Sequence, residues 1–154
     1  MIQKKLTNLL LTTMWVTLAT AIGVAIILAG DKLLGVRLEV FQGMHTFSVL
    51  WILDLIVVPL VAGFVVSLVY GLGGKMVAHL PALIAKTYAY FTLTPDMVTH
   101  GEIIPVGFWI LITIVVVEAC AAGGLLGEFL IKKTYGRRPK HLIHKRYQKK
   151  SIES

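Results

Sequence analysis

The sequence predicts an all-α membrane protein, a bundle of four transmembrane helices followed by a basic cytoplasmic tail. The first observation is composition: 56% of the 154 residues are hydrophobic and only 15% are charged. Soluble domains carry about a quarter charged residues, so this composition excludes an ordinary soluble domain. The second observation is the mean hydropathy of +0.80. The third is the position of the net charge of +7, since residues 132–154 hold nine of the 15 Lys and Arg.

The helices are predicted from apolar runs, because a membrane crossing takes roughly 20 apolar residues. The first run follows Lys4 and Lys5 and is longer than the core of a secretory signal, so we interpret it as an uncleaved signal-anchor. The third run is ambiguous, because His79, Pro81 and Lys86 would also suit a segment lying in the membrane interface. The four predicted spans are about 8–30, 46–72, 75–93 and 103–131.

The orientation follows from the distribution of Lys and Arg, which collect in short loops on the cytoplasmic side. Lys4 and Lys5 therefore place the N-terminus in the cytoplasm. Four crossings put the basic tail there too, and they leave outside the loop 94–102, which contains acids and no base. Three crossings would leave the whole tail outside. We therefore predict four crossings of a bacterial inner membrane, with a transmembrane domain at 1–131 and a cytoplasmic tail at 132–154.

Two of the predicted spans carry small residues four positions apart, which let membrane helices approach closely. At 100° per residue, Gly123 and Gly127 lie roughly 140–180° around the helix from Glu118, and Gly63 lies about 180° from Asp54. Packing within the chain is the simplest interpretation of the rows. Two contact faces on one helix nevertheless favour coverage by other subunits or by a second copy. The rows are Gly63, Ser67 and Gly71 in the second span, and Ala119, Gly123 and Gly127 in the fourth.

Four side chains form a candidate intramembrane polar cluster, namely Asp54, Lys86, Thr113 and Glu118. Counted at about 1.5 Å per residue, the depth of Lys86 falls between those of the two acids, so it is able to pair with either. Thr113 lies near the depth of Asp54 and is expected to donate a hydrogen bond to it. A charge at the bilayer centre costs about 2.5–3.5 kcal/mol on insertion scales, so each one needs a reason. Three reasons stay open: a structural ion pair, an ion or proton pathway, and docking onto a partner's membrane helix.

The basic tail is expected to hold the topology and to contact anionic lipid headgroups, each base contributing about 1 kcal/mol near the surface. Docking onto a cytoplasmic partner is the alternative, and nucleic acid is not favoured because aromatic side chains for base stacking are sparse. Glu128 precedes Lys132 by four positions, the favourable order for a helical ion pair. The proposed contact residues are Lys132, Lys133, Arg137, Arg138, Lys140, Lys145 and Arg146.

No metal, cofactor or catalytic constellation is predicted. The five histidines share no depth inside the membrane, and the single cysteine, Cys120, excludes a multi-cysteine metal site. HExxH, P-loop and GxSxG motifs do not occur. We therefore expect a non-enzymatic accessory, assembly or scaffold subunit of a larger membrane complex, with other membrane subunits as partners. The alternative is a small homo-oligomeric transporter, or a proton- or ion-conducting protein, that uses Asp54, Lys86 and Glu118.

Overall fold

The computed structural model describes residues 2–98 and 100–135. In this range the helices are α1 (Ile2–Leu34), α2 (Val49–Ile52), α3 (Val58–Tyr70), α4 (Gly74–Val77), α5 (His79–Thr92) and α6 (Val106–Tyr135). Three stretches are long and apolar enough to cross a membrane: Leu9–Leu34, Val49–Tyr70 and Val106–Thr134. Many of their apolar side chains point outward, as on surfaces in contact with lipid. The prediction of a helical membrane protein is confirmed at this level.

The third predicted span forms two helices instead of one. The helices α4 and α5 are 4 and 14 residues long and are separated at Ala78. Pro81 accounts for the break, because it has no N–H for the carbonyl of Val77 and its ring crowds that carbonyl. The helix α5 packs against both α1 and α6, and it buries Ala82 and Lys86 there. The segment therefore belongs to the bundle, although neither helix matches the length of the three crossing stretches.

The first helix runs one turn further than the sequence pattern suggests. The predicted span ends near residue 30, whereas α1 continues to Leu34. Gly35 ends it with a φ of +64°, a left-handed conformation that favours glycine and commonly terminates helices. Asp31 and Lys32 are consequently helical residues. They lie beyond the predicted end of the first span at residue 30, which is therefore too early.

A π-helical turn at Leu53–Val57 joins α2 to α3 and contains Asp54. The N–H of Val58 donates to the carbonyl of Leu53, five residues back. Pro59 provides the physical reason, since it cannot donate to Leu55 in an α-helical pattern and its ring crowds that carbonyl. Such turns insert one residue into a helix and are frequent at functional sites. The insertion rotates Asp54 relative to α3.

The small-residue rows pack α3 against α6. A Cβ added to Gly63 would overlap the Cys120 carbonyl, and one added to Gly123 would overlap the Leu60 carbonyl. Ser67 strengthens the contact, because its Oγ donates a 2.7 Å hydrogen bond to the carbonyl of Gly124. These rows therefore bring the two helix backbones together within one chain.

Three other members of the rows take different positions. Gly127 continues the close approach, since an added Cβ would lie 2.7 Å from the carbonyl of Phe64. Ala119 is only half-buried. Gly71 follows the end of α3 with a φ of +98°, so it terminates the helix and does not extend the row inside it.

The connections 35–48 and 93–105, here named the cap, close one end of the bundle. Within the cap, β1 (Val40–Phe41) pairs antiparallel with β2 (Glu102–Ile103), and Val40 lies opposite Ile103. Tyr90 anchors the cap, because its ring stacks on Trp109 with centroids 4.6 Å apart. Its hydroxyl also donates a 3.1 Å hydrogen bond to the carbonyl of Ile104. The cap is therefore held by the strand pair and by Tyr90.

Candidate functional site

Lys86 on α5 is the centre of a buried group of charges. Its Nζ lies 2.8 Å from Asp31 Oδ2, 3.9 Å from Glu39 Oε1 and 3.9 Å from Asp54 Oδ2. These four residues are named the Lys86 cluster. They come from four segments, namely α5, α1, the cap and the π-turn. One ammonium group therefore ties together parts of the chain that are distant in sequence.

Burial in the Lys86 cluster increases from its edge to its interior. The exposed fraction of the side chain falls from 18% for Asp31 to 5% for Glu39, 2% for Lys86 and 0% for Asp54. A surface cavity of about 490 Å³ is lined by Asp31 and Glu39 together with cap residues and part of α5. The cluster is consequently reached from solvent at the cap end, and Asp54 is its most enclosed member.

The charges of the cluster do not balance when every group is ionised, because three carboxylates face one ammonium. Among the described residues, Asp31 Oδ1, Glu39 Oε1 and both Asp54 oxygens are buried and accept no hydrogen bond. Burial raises the pKa of Glu39 above its ordinary value, and the neighbouring Lys86 ammonium partly opposes that rise. A buried carboxylate without a full set of donors is costly. The arrangement therefore favours a neutral form for part of the carboxyl set.

The structure brings together two of the four predicted polar residues. Asp54 and Lys86 are neighbours, whereas Glu118 lies outside the cluster with its side chain exposed. Thr113 is buried on α6, and its Oγ1 makes no hydrogen bond among the described residues, so the expected bond to Asp54 is not formed. The physical reason for the Glu118 difference is the α3–α6 contact, which turns the Gly123 side of α6 inward and the opposite side outward.

Asp31 and Glu39 are the members of the cluster that sequence reasoning missed. Both lie between the first two predicted spans, 8–30 and 46–72. Gly35 was the available signal, since a glycine just after Leu34 marks a helix end. Extending α1 to that point would have put Asp31 inside a membrane helix, where a charge needs a partner.

A second polar feature lies on the opposite side of α6 from the glycine row. Glu118 is exposed near the middle of the helix, among large apolar side chains that are also exposed. No ion pair involves Glu118 in residues 2–98 or 100–135. The surface is named the α6 outer face and consists of Leu111, Ile114, Val115, Glu118, Ala122, Leu125 and Phe129, which lie within about 100° of one another around the helix.

The start of the basic tail is the only part of it within the described residues. Lys132 Nζ lies 3.1 Å from Glu128 Oε1, which is the i,i+4 ion pair anticipated from the spacing. Lys132 and Lys133 are exposed. The other predicted contact residues, Arg137, Arg138, Lys140, Lys145 and Arg146, lie outside the described residues.

The donor set does not suit a metal ion. In the described part of the chain, no group of three or more His, Cys, Asp or Glu side chains is arranged to hold one. Within the Lys86 cluster the ammonium already lies where the carboxylates converge, and it would repel a metal cation.

Comparison with known proteins does not indicate a function for these residues, because no family model, curated protein or solved structure matches this chain.

Proposed function

We propose that this chain is a non-catalytic accessory subunit of a larger membrane complex, and that it docks onto another membrane protein through the α6 outer face. The observation that carries the proposal is the exposure of Glu118 near the middle of a membrane-crossing helix. A carboxylate facing lipid at that depth costs about 2.5–3.5 kcal/mol on insertion scales. A partner helix that covers Glu118 with a donor group removes this cost.

The chemistry of the partner follows from the α6 outer face. Ala122 lies one turn after Glu118 and is exposed, and a small residue lets a second helix approach closely. Large apolar side chains surround the pair, including Leu125 and Phe129, which are 53% and 69% exposed. The partner is therefore a membrane helix with an apolar face and one Lys, Arg or neutral hydrogen-bond donor at the depth of Glu118.

The glycine rows support docking by this face and not by the opposite one. Gly63 and Gly123 are in contact with backbone of the facing helix, so their close-approach surface is already occupied within the chain. A second membrane helix meets α6 on the side that carries Glu118. We therefore propose a second contact face for α6 only. The second long helix needs no partner at Asp54, because its own chain already encloses that side chain.

Four crossings with both termini in the cytoplasm remain our proposed topology in a bacterial inner membrane. The α5 segment supports it, because α5 packs between α1 and α6 and buries Lys86 in the bundle. The cap joins the C-terminal ends of α1 and α5 to the N-terminal ends of α2 and α6. The exposed Lys132 and Lys133 come at the far end of α6, and positive charge favours the cytoplasmic side for that end.

A homo-oligomeric transporter or ion-conducting protein is the second candidate. The observation that favours it is the Lys86 cluster, in which buried ionisable groups are connected to a surface cavity. The predicted pathway through Asp54, Lys86 and Glu118 is incomplete, because Glu118 does not lie with the other two. Flux into liposomes containing the wild-type chain or Asp54→Asn separates this candidate from the accessory subunit.

Affinity purification from the native membrane tests the docking proposal. A C-terminally tagged chain is extracted in mild detergent, and the mass and subunits of the native particle are determined. We expect a stoichiometric complex with a different membrane protein for the wild type and for Glu102→Gln, which removes an exposed acid of the cap. Glu118→Leu should lose the partner while the chain stays folded, because leucine suits a lipid-facing position. A monomer or a pure homo-oligomer in all three samples would contradict the proposal.

A further inference from the structure

The Lys86 cluster contains more negative charge than its own cation neutralises. Asp31, Glu39 and Asp54 contribute three carboxyls, and Lys86 Nζ lies within 2.8–3.9 Å of one oxygen from each. With all groups ionised, the buried cluster carries a net charge of −2. A low-dielectric interior penalises that state strongly. Something positive must therefore accompany the ionised cluster, or some carboxyls must hold protons.

The convergence of the carboxyls on one ammonium identifies where hydrogen is needed. Asp31 Oδ2 and Asp54 Oδ2 lie 2.8 Å and 3.9 Å from the same Lys86 Nζ, and two ionised carboxylates offer acceptors only. The Asp54 side chain is fully buried, and neither of its oxygens has a hydrogen-bond donor among the described residues. A proton on one of the two carboxyls removes the repulsion between their like charges around this ammonium.

Other charged groups around the cluster do not remove the excess. Arg37 on the cap and Lys32 on α1 line the cavity at its edge, and both side chains are exposed to solvent. On α6, Thr113 contributes a buried hydroxyl, which is uncharged. Water screens the charges of Lys32 and Arg37 at the rim, whereas Asp54 is enclosed and has no such contact with water. The compensation has to reach the interior of the cluster.

A proton fits this interior better than a metal cation. Lys86 Nζ already occupies the point at which the three carboxyls converge, so a metal ion would meet an ammonium at close range. A proton adds almost no volume and forms an O–H bond on a group that is already present. We propose that the Lys86 cluster is a proton-binding site that exchanges protons with water through the cavity at Asp31 and Glu39.

The gradient of burial gives the exchange a route. A hydronium ion in the cavity transfers a proton to Asp31 or Glu39, whose side chains are 18% and 5% exposed, and is left as water. The carboxyls that converge on Lys86 Nζ then pass a proton to the enclosed Asp54, with one O–H bond formed for each one broken. The three carboxyls titrate as one coupled unit because they interact at close range. This proposal is independent of the docking proposal, since Glu118 takes no part in it.

Infrared titration of the full chain in lipid vesicles tests the inference. The C=O stretch of protonated carboxyls is followed from about pH 8 to about pH 5, a range that lies above the ordinary pKa values of Asp and Glu, about 3.9 and 4.3. All samples carry Glu118→Leu, so that a carboxyl facing lipid does not contribute to the band. The amide band of each sample serves as the internal standard. Circular dichroism reports whether each variant is folded.

We expect a protonated-carboxyl band at neutral pH that loses up to one carboxyl equivalent per chain in Asp54→Asn or in Glu39→Gln. Lys86→Met should increase the band, because the cluster loses its ammonium and takes up another proton. The matched control Glu128→Gln should leave the band unchanged, since Glu128 has its own one-to-one partner in Lys132.

Three results would overturn the inference. One is the absence of the band at every pH down to the ordinary carboxyl range, which means that the cluster is fully ionised. Another is a band that neither Asp54→Asn nor Glu39→Gln reduces. The third is a failure of both neutral variants to fold, because an amide mimics a protonated carboxyl and should be tolerated if the protonated form is the native one.

Discussion

The ammonium of Lys86 lies 2.8 Å from the carboxylate of Asp31, and this pair joins the middle of α5 to the last turn of α1. The same ammonium is 3.9 Å from Asp54 in the π-turn. Through Glu39 the ammonium also approaches the cap, at 3.9 Å. The Lys86 cluster therefore joins α5 to three other segments and is a buried ionisable site among the described residues.

Removing Lys86 should destabilise the folded chain strongly. Lys86→Met leaves three carboxyls without their cation, and removal of one partner from a buried ion pair costs about 3–5 kcal/mol. The free energy of unfolding in mixed detergent micelles measures the effect. Lys75→Met is the matched control, because Lys75 is exposed on α4 and should change stability by less than about 0.5 kcal/mol. Equal losses in the two variants would show that the cluster does not fasten the bundle.

The α3–α6 contact should not tolerate a methyl group. Gly63→Ala places a Cβ against the Cys120 carbonyl, and overpacking of this kind costs about 1–3 kcal/mol. Gly107→Ala is the control on α6, since an added Cβ there meets nothing within 4 Å. Thermal unfolding should give a lower midpoint for Gly63→Ala and an unchanged or higher one for Gly107→Ala. A midpoint unaffected by Gly63→Ala would mean that the two backbones are further apart.

The pKa of Glu39 predicts the direction of a pH effect on stability. Burial raises this pKa above the ordinary value of 4.5, so the folded chain binds the proton more tightly than the unfolded chain. The stabilisation is therefore complete below the ordinary value and is lost as pH rises through the folded value. Unfolding measured across this range should show that wild type gains stability on acidification relative to Glu39→Gln. Identical pH slopes for the two chains would contradict it.

The four-crossing topology predicts opposite accessibility for the cap and the tail. In a Cys120→Ala background, a cysteine at Gln42 of the cap should react with a membrane-impermeant thiol reagent added outside intact cells. A cysteine at Lys133 should react only after the membrane is opened. Both positions are exposed in the structure, so burial does not limit the reaction. Labelling of both from the same side would rule out four crossings.

The sequence predicts the long helices well because composition alone decides them, and it predicts side-chain partners less well. Gly30, Asp31 and Lys32 resemble the exit of a membrane helix, yet α1 continues to Leu34, and Asp31 pairs with Lys86 on a distant segment. That pairing is tertiary and has no local signature. It also explains why the third predicted span is held in the bundle despite the break at Ala78.

The orientations of Asp54 and Glu118 show two different limits on what the sequence predicts about side-chain positions. The angle between Glu118 and Gly123 already indicated opposite sides of α6, and the outward position of Glu118 agrees with it. The depth of Glu118 in the membrane suggested that it pairs with Lys86. Depth does not indicate which side of the helix faces the bundle, so that expectation was wrong. For Asp54 a count of 100° per residue does not hold across the π-turn, which adds a residue between Asp54 and Gly63 and rotates one relative to the other.

Photo-crosslinking in the native membrane tests the central claim, docking through the α6 outer face, most directly. A crosslinking amino acid is placed at Ala122, one turn from Glu118, and at Leu83, which is 50% exposed on α5. The account predicts one discrete adduct with a different membrane protein from Ala122, none from Leu83, and loss of the Ala122 adduct in Glu118→Leu. Only lipid adducts from Ala122, or a protein adduct that persists in Glu118→Leu, would contradict it.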